Sequence, residues 1–358
     1  MKDFELFGNV EQAQNFLDSV KSGRFLLSFV MSYTQTCEIP GITIAGADSD
    51  SMKYTPPADA EYLHYGYCKT IDNIPMTPDG KPTPALLTKT ALESASIPHL
   101  TINAGSKITP QLPYFETGLS FGKNISIEPA MTDSEVSSAV EYGRIVGRNM
   151  ASLTDCLVIG ESIPGGTTTA LAVLRAFDFD AKTSSSLPAN PIKLKNEVVD
   201  SAIKRIDSDH PYSVLAKVGD PMIAFVAGML SSASAVSKVM LAGGTQMTAV
   251  LAFASKIGFN EENTAIGTTS YITNDQNANF ANLVKQIADI PAISVNPGLN
   301  NSKHSGLKAF SEGFGKEGAG AGGSIISSML KTGNDSTKFL DLTEQEYYRL
   351  SSLSKSKY

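Results

Sequence analysis

The chain has 358 residues, which bounds it at about two structural units or one large α/β unit with a satellite and excludes a peptide-sized or purely disordered protein. Hydrophobic residues make up 42% and charged residues 18%, enough apolar surface for a continuous core without metal or disulfide support. The net charge of −7 has the wrong sign for wrapping polyphosphate, so nucleic acid is not an expected partner, and three scattered cysteines (Cys37, Cys68, Cys156) fit a reducing cytoplasm.

The opening MKDFELFGNVEQ alternates charged and apolar side chains and lacks the apolar stretch of a secretory leader, so the protein is expected to stay in the cytoplasm. Residues 9–20 have helical spacing, and residues 25–30 (FLLSFV) suit a strand covered on both faces. Residues 42–45 and 97–102 read as two short strands, each ending at a glycine, Gly46 and Gly105. Residues 48–84 are too long for a bare connector and are expected to form a lid or a partner-contacting excursion. Within it Tyr54, Tyr62, Tyr65 and Tyr67 cluster densely enough to suggest an aromatic ligand wall or a dimer surface, although aromatic residues are core by default.

Residues 133–151 open with a capping sequence from Thr132 to Glu135 and predict a long helix. Residues 156–159 (CLVI) predict a buried strand that stops at Gly160, followed by a helix over about residues 168–177, a loop at 184–191 and a helix over 192–206. The same grammar returns as helix 222–234, strand 239–241, Gly243-Gly244, helix 246–254, strand 264–267, helix 281–288 and strand 292–295. The apolar run PMIAFVAGML is half of the roughly 20 residues needed to cross a bilayer and reads as a buried helix. Strand, glycine and helix repeated in this way predict an α/β fold, a parallel sheet with helices on both faces and its active site at the carboxyl ends of the strands.

Three segments can carry chemistry. In GESIPGGTTT, two glycines (Gly165, Gly166) and three threonines stand where a strand becomes a helix, a place that favours an anion such as phosphate; a plain turn and helix cap is the alternative. Glu161 stands at the carboxyl end of that strand. In GKEGAGAGGS, Glu317 is the only carboxylate in a stretch so poor in side chains that a flat ring or sugar can lie on the backbone, which suits a general base. Gly219 and Asp220, with Gly243, Gly244, Thr245 and Gln246, form glycine turns at helix starts that can line the same cleft or simply pack. The four histidines (His64, His99, His210, His304) show no metal-ligand spacing, and no metal or cofactor is expected.

Taken in order, GESIPGGTTTALAVL, GDPMIAFVAGML, LAGGTQMTAVLA and KEGAGAGG resemble the nicotinate-nucleotide:5,6-dimethylbenzimidazole phosphoribosyltransferases, most closely their archaeal branch. The resemblance covers residues 130–332 well and is looser before residue 128, where it rests on IPGITIAGA and TPALLTKTALE. It implies a Rossmann-like sheet plus a smaller helical subdomain: one large domain over residues 1–330, a helical tail over 331–358 completing the subdomain, and a homodimer. It also implies transfer of the 5-phosphoribosyl group of nicotinate mononucleotide to a benzimidazole, releasing nicotinate and forming α-ribazole phosphate for the cobamide lower ligand. Carried over by motif, Glu317 resembles the general base, Glu161 the acidic residue of the family's G-E-x-x-x-G-N-T-T segment, and Lys195 a phosphate-contacting lysine. Pro164, Gly165, Gly166, Thr167 and Thr168 would cradle the nucleotide, with Gly318 and Gly320 beside them.

The chain departs from the family where Asn-Thr-Thr becomes Gly166-Thr167-Thr168 and where Asp-Gly-Phe becomes Ala242-Gly243-Gly244. Two other readings stay open: a noncatalytic mononucleotide-binding protein on the same fold, and a related transferase acting on another heterocyclic base.

Overall fold

The computed structural model describes residues 3–44, 50–72 and 80–355, with side chains described through residue 352. Among the described residues eight strands form one sheet: β1 (Phe4–Phe7), β2 (Phe25–Met31), β3 (His99–Asn103), β4 (Phe115–Glu116), β5 (Cys156–Ser162), β6 (Lys238–Ala242), β7 (Thr264–Thr269) and β8 (Ala292–Val295). Their spatial order is β1-β8-β7-β6-β5-β2-β3-β4, and all neighbours are parallel except β1 with β8. The chain steps from β2 to β3 on one side and then crosses to β5 on the other, so β2 and β5 flank the point where the order reverses. In open α/β sheets the crevice at the carboxyl ends of such strands receives ligands.

Alternation along the strands divides the core into two layers. Leu26, Val30, Leu157, Ile159, Val239, Leu241 and Ile266 pack on one face with the helices Asp133–Ala151, Gly166–Ala176, Pro221–Ala233 and Thr245–Ile257. Leu27, Phe29, Val158, Met240 and Ala265 pack on the other with Val10–Val20, Ala85–Ala95 and Ala321–Thr332. The helix Asp133–Ala151 begins where the sequence predicts, with a capping box in which Thr132 and Glu135 satisfy each other's backbone N–H groups. It lies against Pro221–Ala233 through bare backbone. A β-carbon on Gly147 would stand 2.5 Å from the Met229 carbonyl oxygen, and one on Gly143 or Gly228 would strike a carbonyl of the facing helix.

The predicted strands and helices of residues 133–295 are present with bounds shifted by up to three residues; the helix expected over 192–206 stops at Ile203. The strand expected to stop at Gly160 continues to Ser162, because Gly160, Glu161 and Ser162 stay in register with Phe29, Val30 and Met31 of β2. Residues 42–44 do not form the expected strand. The Ile42 N–H closes a turn onto the Ile39 carbonyl, and the Ile44 N–H bonds the Ser186 hydroxyl, which leaves no ladder; the rest of that segment lies outside the described residues.

Within the stretch 48–84, whose residues 48–49 and 73–79 also lie outside the described set, a helix Thr55–Tyr65 is buried from Pro56 through Leu63. Tyr62 is core and donates to Glu346 at 2.6 Å, while the rings of Tyr65 and Tyr67 stack 5.5 Å apart nearer the surface. The C-terminal tail is the helix Ser336–Lys355, with Phe339 and Leu350 in the second core layer. Among the described residues no helix is long and apolar enough to cross a membrane.

The glycine seam between Asp133–Ala151 and Pro221–Ala233 makes a direct prediction. Gly143→Ala forces the two helices apart and costs about 1–3 kcal/mol, seen as a Tm lowered by at least about 2 °C in thermal unfolding. An unchanged Tm contradicts the backbone packing.

Candidate active site

The carboxyl end of β5 meets the loop that precedes the helix Ala321–Thr332. Gly160 carries no side chain, and a β-carbon there would stand 2.7 Å from Gly320 Cα. The Ala319 N–H donates to the Glu161 carbonyl at 2.9 Å, and the Thr88 hydroxyl donates to the Ala319 carbonyl at 2.8 Å. These bonds hold a run of positive φ angles, 148° at Gly318, 52° at Ala319 and 73° at Gly320, that turns the chain into the helix. The strain of this geometry falls on Ala319, the one of the three with a side chain.

Glu317 is half-buried, and backbone and hydroxyl groups fix its carboxylate. Oε2 accepts from the Thr269 N–H at 2.9 Å and the Thr268 hydroxyl at 3.3 Å; Oε1 accepts from the Gly322 N–H at 3.0 Å and the Gly318 N–H at 3.3 Å. Gly322 lies in the first turn of Ala321–Thr332, so the acid also faces the positive end of that helix. Loss of water outweighs these donors and pushes the carboxyl up to about 7.

Glu161 is 4% exposed. Burial, then the charges of Asp220 and Glu317, drive its carboxyl up to about 8, against the opposing effect of the nearby Gln246 amide and the Ile163 N–H. Asp220 is fully buried, caps Pro221–Ala233 through Ile223 N–H at 2.9 Å, and accepts from the Thr169 hydroxyl at 2.5 Å. Burial raises it to about 6. Three carboxyl groups from distant parts of the chain therefore share one rim. Asp59 stands behind it, accepting from Ser162 at 2.9 Å.

The loop at the start of Gly166–Ala176 is buried at Pro164 and turns at Gly165, where φ is +77° and a β-carbon would lie 2.9 Å from Cys37 Cα. A β-carbon on Gly166 would lie 2.6 Å from Gln246 Nε2, an atom that is buried and without a hydrogen-bond partner among the described residues. Thr167 is half-buried, and its carbonyl accepts from Thr183 at 2.8 Å; Thr168 is wholly buried with its hydroxyl unpartnered among the described residues.

Of the third segment, Asp220, Gly244, Thr245 and Gln246 reach the rim. A β-carbon on Gly244 would come within 3.6 Å of Glu317 Cβ, and Thr245 accepts from the Ser184 N–H at 3.1 Å. Gly219 and Gly243 serve local turns instead: Gly219 packs on its own helix at Leu215, and the Gly243 N–H donates to the Gly267 carbonyl at 3.0 Å. Lys195 is buried and donates to the Ser184 carbonyl at 2.6 Å. Sequence reasoning missed Thr268, Thr269, Lys316, Asp275 and Ser184. The first two follow a strand that reads two residues too short; Ser184 opens the stretch read as a loop, Asp275 lies between a predicted strand and a predicted helix, and Lys316 stands inside GKEGAGAGGS, where the chemistry is read from Glu317 alone.

A family described as phosphoribosyltransferase matches residues 103–271 of the chain. A UPF0284 protein of Archaeoglobus fulgidus is 44% identical over 328 residues, covering 92% of this chain and 94% of that protein. A UPF0284 protein of Sulfurisphaera tokodaii is 40% identical over 336 residues, covering 93% and 96%. Among solved structures, CobT from Thermus thermophilus superposes with a TM-score of 0.60 at 16% identity, covering 92% of this chain and 91% of that one. A nicotinate-nucleotide-dimethylbenzimidazole phosphoribosyltransferase structure from the same organism gives 0.58 at 16% identity, covering 91% and 92%. The two structures share the fold of this chain.

The raised Glu161 carboxyl has a measurable thermodynamic sign. Between about pH 4.5 and 8 the folded chain keeps a proton that the unfolded chain has lost, so stability falls as pH rises through that window. Glu161→Gln removes this dependence: its Tm relative to the parent is expected to climb from pH 5 to pH 8. Parallel Tm profiles for the two proteins contradict the buried, proton-holding acid.

Proposed function

The chain belongs to the UPF0284 protein family, and from that premise we propose that it moves the 5-phosphoribosyl group of nicotinate mononucleotide onto a benzimidazole, releasing nicotinate and forming α-ribazole phosphate. The observation that carries this reading is Glu317, a carboxylate with a raised pKa held by backbone donors beside the glycine-lined end of β5. The matched phosphoribosyltransferase family and the shared fold support the class of reaction.

In this reading one ring nitrogen of the benzimidazole attacks C1′ of the ribose, and the bond from C1′ to the pyridinium nitrogen breaks. The electron pair of that bond returns to the ring, so nicotinate leaves without needing a proton. The proton on the second benzimidazole nitrogen passes to Glu317, whose two weaker contacts, at 3.3 Å, are the ones an incoming N–H can replace. Glu161, kept protonated at neutral pH by its surroundings, donates to a ribose hydroxyl. The loop from Pro164 to Thr168 holds the nucleotide, and alignment with exclusion of water supplies the rest of the acceleration. A cytoplasmic homodimer belongs to the same reading. Transfer to another heterocyclic base is the second reading, favoured by Gly166, which stands where the resembled family carries an asparagine and has the Gln246 amide packed over it.

Glu317→Gln is expected to lower kcat for nicotinate release by about 10²–10⁴-fold while calorimetry shows nucleotide affinity within about threefold of the parent, since the change removes a proton acceptor rather than a binding surface. In the parent, kcat rises with pH to a plateau through about 7 as Glu317 ionises. Undiminished turnover in the variant removes the base. A panel of azoles followed by mass spectrometry identifies the acceptor, and nucleotide binding without nicotinate release for any azole contradicts the transferase.

A further inference from the structure

Glu161 and Glu317 are joined a second time behind the crevice, through side chains that no proton step uses. The Ser162 hydroxyl, next to Glu161, donates to Asp59 Oδ2 at 2.9 Å, and the Thr83 hydroxyl donates to Asp59 Oδ1 at 2.9 Å. Thr83 leads into the helix Ala85–Ala95, in whose first turns the Thr88 hydroxyl donates to the Ala319 carbonyl at 2.8 Å. The Ala319 N–H returns to the Glu161 carbonyl at 2.9 Å and closes a ring. Pro84, between the two threonines, packs on the same loop: β-carbons on Gly315 and Gly318 would stand 3.5 and 3.4 Å from its Cγ.

Thr88 is the unusual member of this ring. A threonine inside a helix commonly turns its hydroxyl back to the carbonyl four residues earlier, as Thr90 does to Leu86 at 2.9 Å, Thr332 to Ser328 at 2.8 Å and Thr343 to Phe339 at 2.8 Å. Thr88, wholly buried, instead sends its hydroxyl out of the helix to a residue 231 positions away. The acceptor is Ala319, whose φ of 52° persists in a residue with a side chain only where the surroundings hold it. Glu317 Oε1 takes its two donors, the Gly318 and Gly322 N–H groups, from either side of that residue. Were Ala319 to relax, the two donors would no longer converge on one oxygen.

We propose that Thr88 is a positioning residue for Glu317: its hydroxyl latches Ala319 in the left-handed turn, and the ring through Thr83 and Asp59 registers that latch against the end of β5, so that Glu317 keeps its place relative to Glu161. The proton step that Glu317 then performs rests on the reaction proposed above. The latch itself does not.

The test titrates the Glu317 carboxyl by infrared difference against Glu317→Gln, without substrate, in the parent and in Thr88→Val, Thr88→Ser and Thr90→Val. Donors to the charged form hold a carboxyl down, so Thr88→Val, which frees Ala319 and parts the two donors of Oε1, is expected to raise the Glu317 midpoint by about one pH unit. Thr88→Ser keeps the hydroxyl and the parent midpoint. Thr90→Val, whose lost bond lies within its own helix, lowers Tm and leaves the midpoint in place. In turnover Thr88→Val lowers kcat for nicotinate release by about 10–100-fold, keeps KM within about threefold, and moves the rising limb of the kcat–pH profile upward. A midpoint that Thr88→Val leaves unmoved, or that Thr90→Val moves as far, overturns the inference. Should Thr88→Val not fold, Thr83→Val decides from the far side of the ring: the midpoint rises if the ring positions Glu317 and stays at the parent value if it does not. A midpoint raised by Thr88→Val, with no nicotinate release by the parent for any azole, sinks the reaction and leaves the latch standing. Equal midpoints and equal turnover in parent and Thr88→Val sink the latch and leave the reaction.

Discussion

The backbone of Gly320 lies directly on the backbone of Gly160, and the site exists because nothing separates them. This contact docks the start of Ala321–Thr332 over the strand ends. Gly322 lies against the Thr268 backbone, and a β-carbon on Gly323 would stand 2.5 Å from the Ala242 β-carbon. One helix thus begins over β5, β6 and β7 at once, bringing Glu317 to the rim where Glu161 leaves β5. Any side chain at this seam would lift the loop and separate the two acids, so the geometry of the chemistry is set by atoms that are missing from the sequence.

That docking imposes an electrostatic cost which the fold offsets with backbone donors. Glu161, Asp220 and Glu317 all lose water, and each is raised above the usual carboxylate range by burial before any neighbour acts. Helix starts and strand ends supply the compensating N–H groups at Asp220 and Glu317, whereas Glu161 is left with the strongest shift and the least support. Perturbed acids that face one crevice are costly to stability and useful to proton chemistry. Lys195 repeats the arrangement with the opposite sign one loop away, lowered to about 7 by burial and then by the charge of Lys316.

Much of the scaffold was legible in the sequence because it obeys local rules. Thr132 and Glu135 announce a helix start, FLLSFV and CLVI announce strands buried on both faces, and paired glycines mark the turns after β6 and before Gly166–Ala176. The misses have common causes. Gly160 reads as a strand end, yet it is the residue that lets the strand continue beneath another backbone. Residues 48–84 read as a lid or partner-contacting excursion, yet Pro56 and Pro57 occupy the first turn of a buried helix, where proline is tolerated. β1 has only four residues, paired antiparallel with a distant strand, and leaves little periodic signal. Lys316 and Asp275 give no sign of their pairing, because no local pattern shows that residues 41 positions apart will be buried together.

The account comes down to where a ligand sits at the ends of β5, β6 and β7. A crystal structure with nicotinate mononucleotide and a benzimidazole bound measures this directly. It is expected to show a ring nitrogen of the base within hydrogen-bond distance of Glu317 and the nucleotide against the loop from Pro164 to Thr168. A nucleotide bound elsewhere on the sheet, or Glu317 still held by all four of its own donors with no ligand atom against it, would contradict the account.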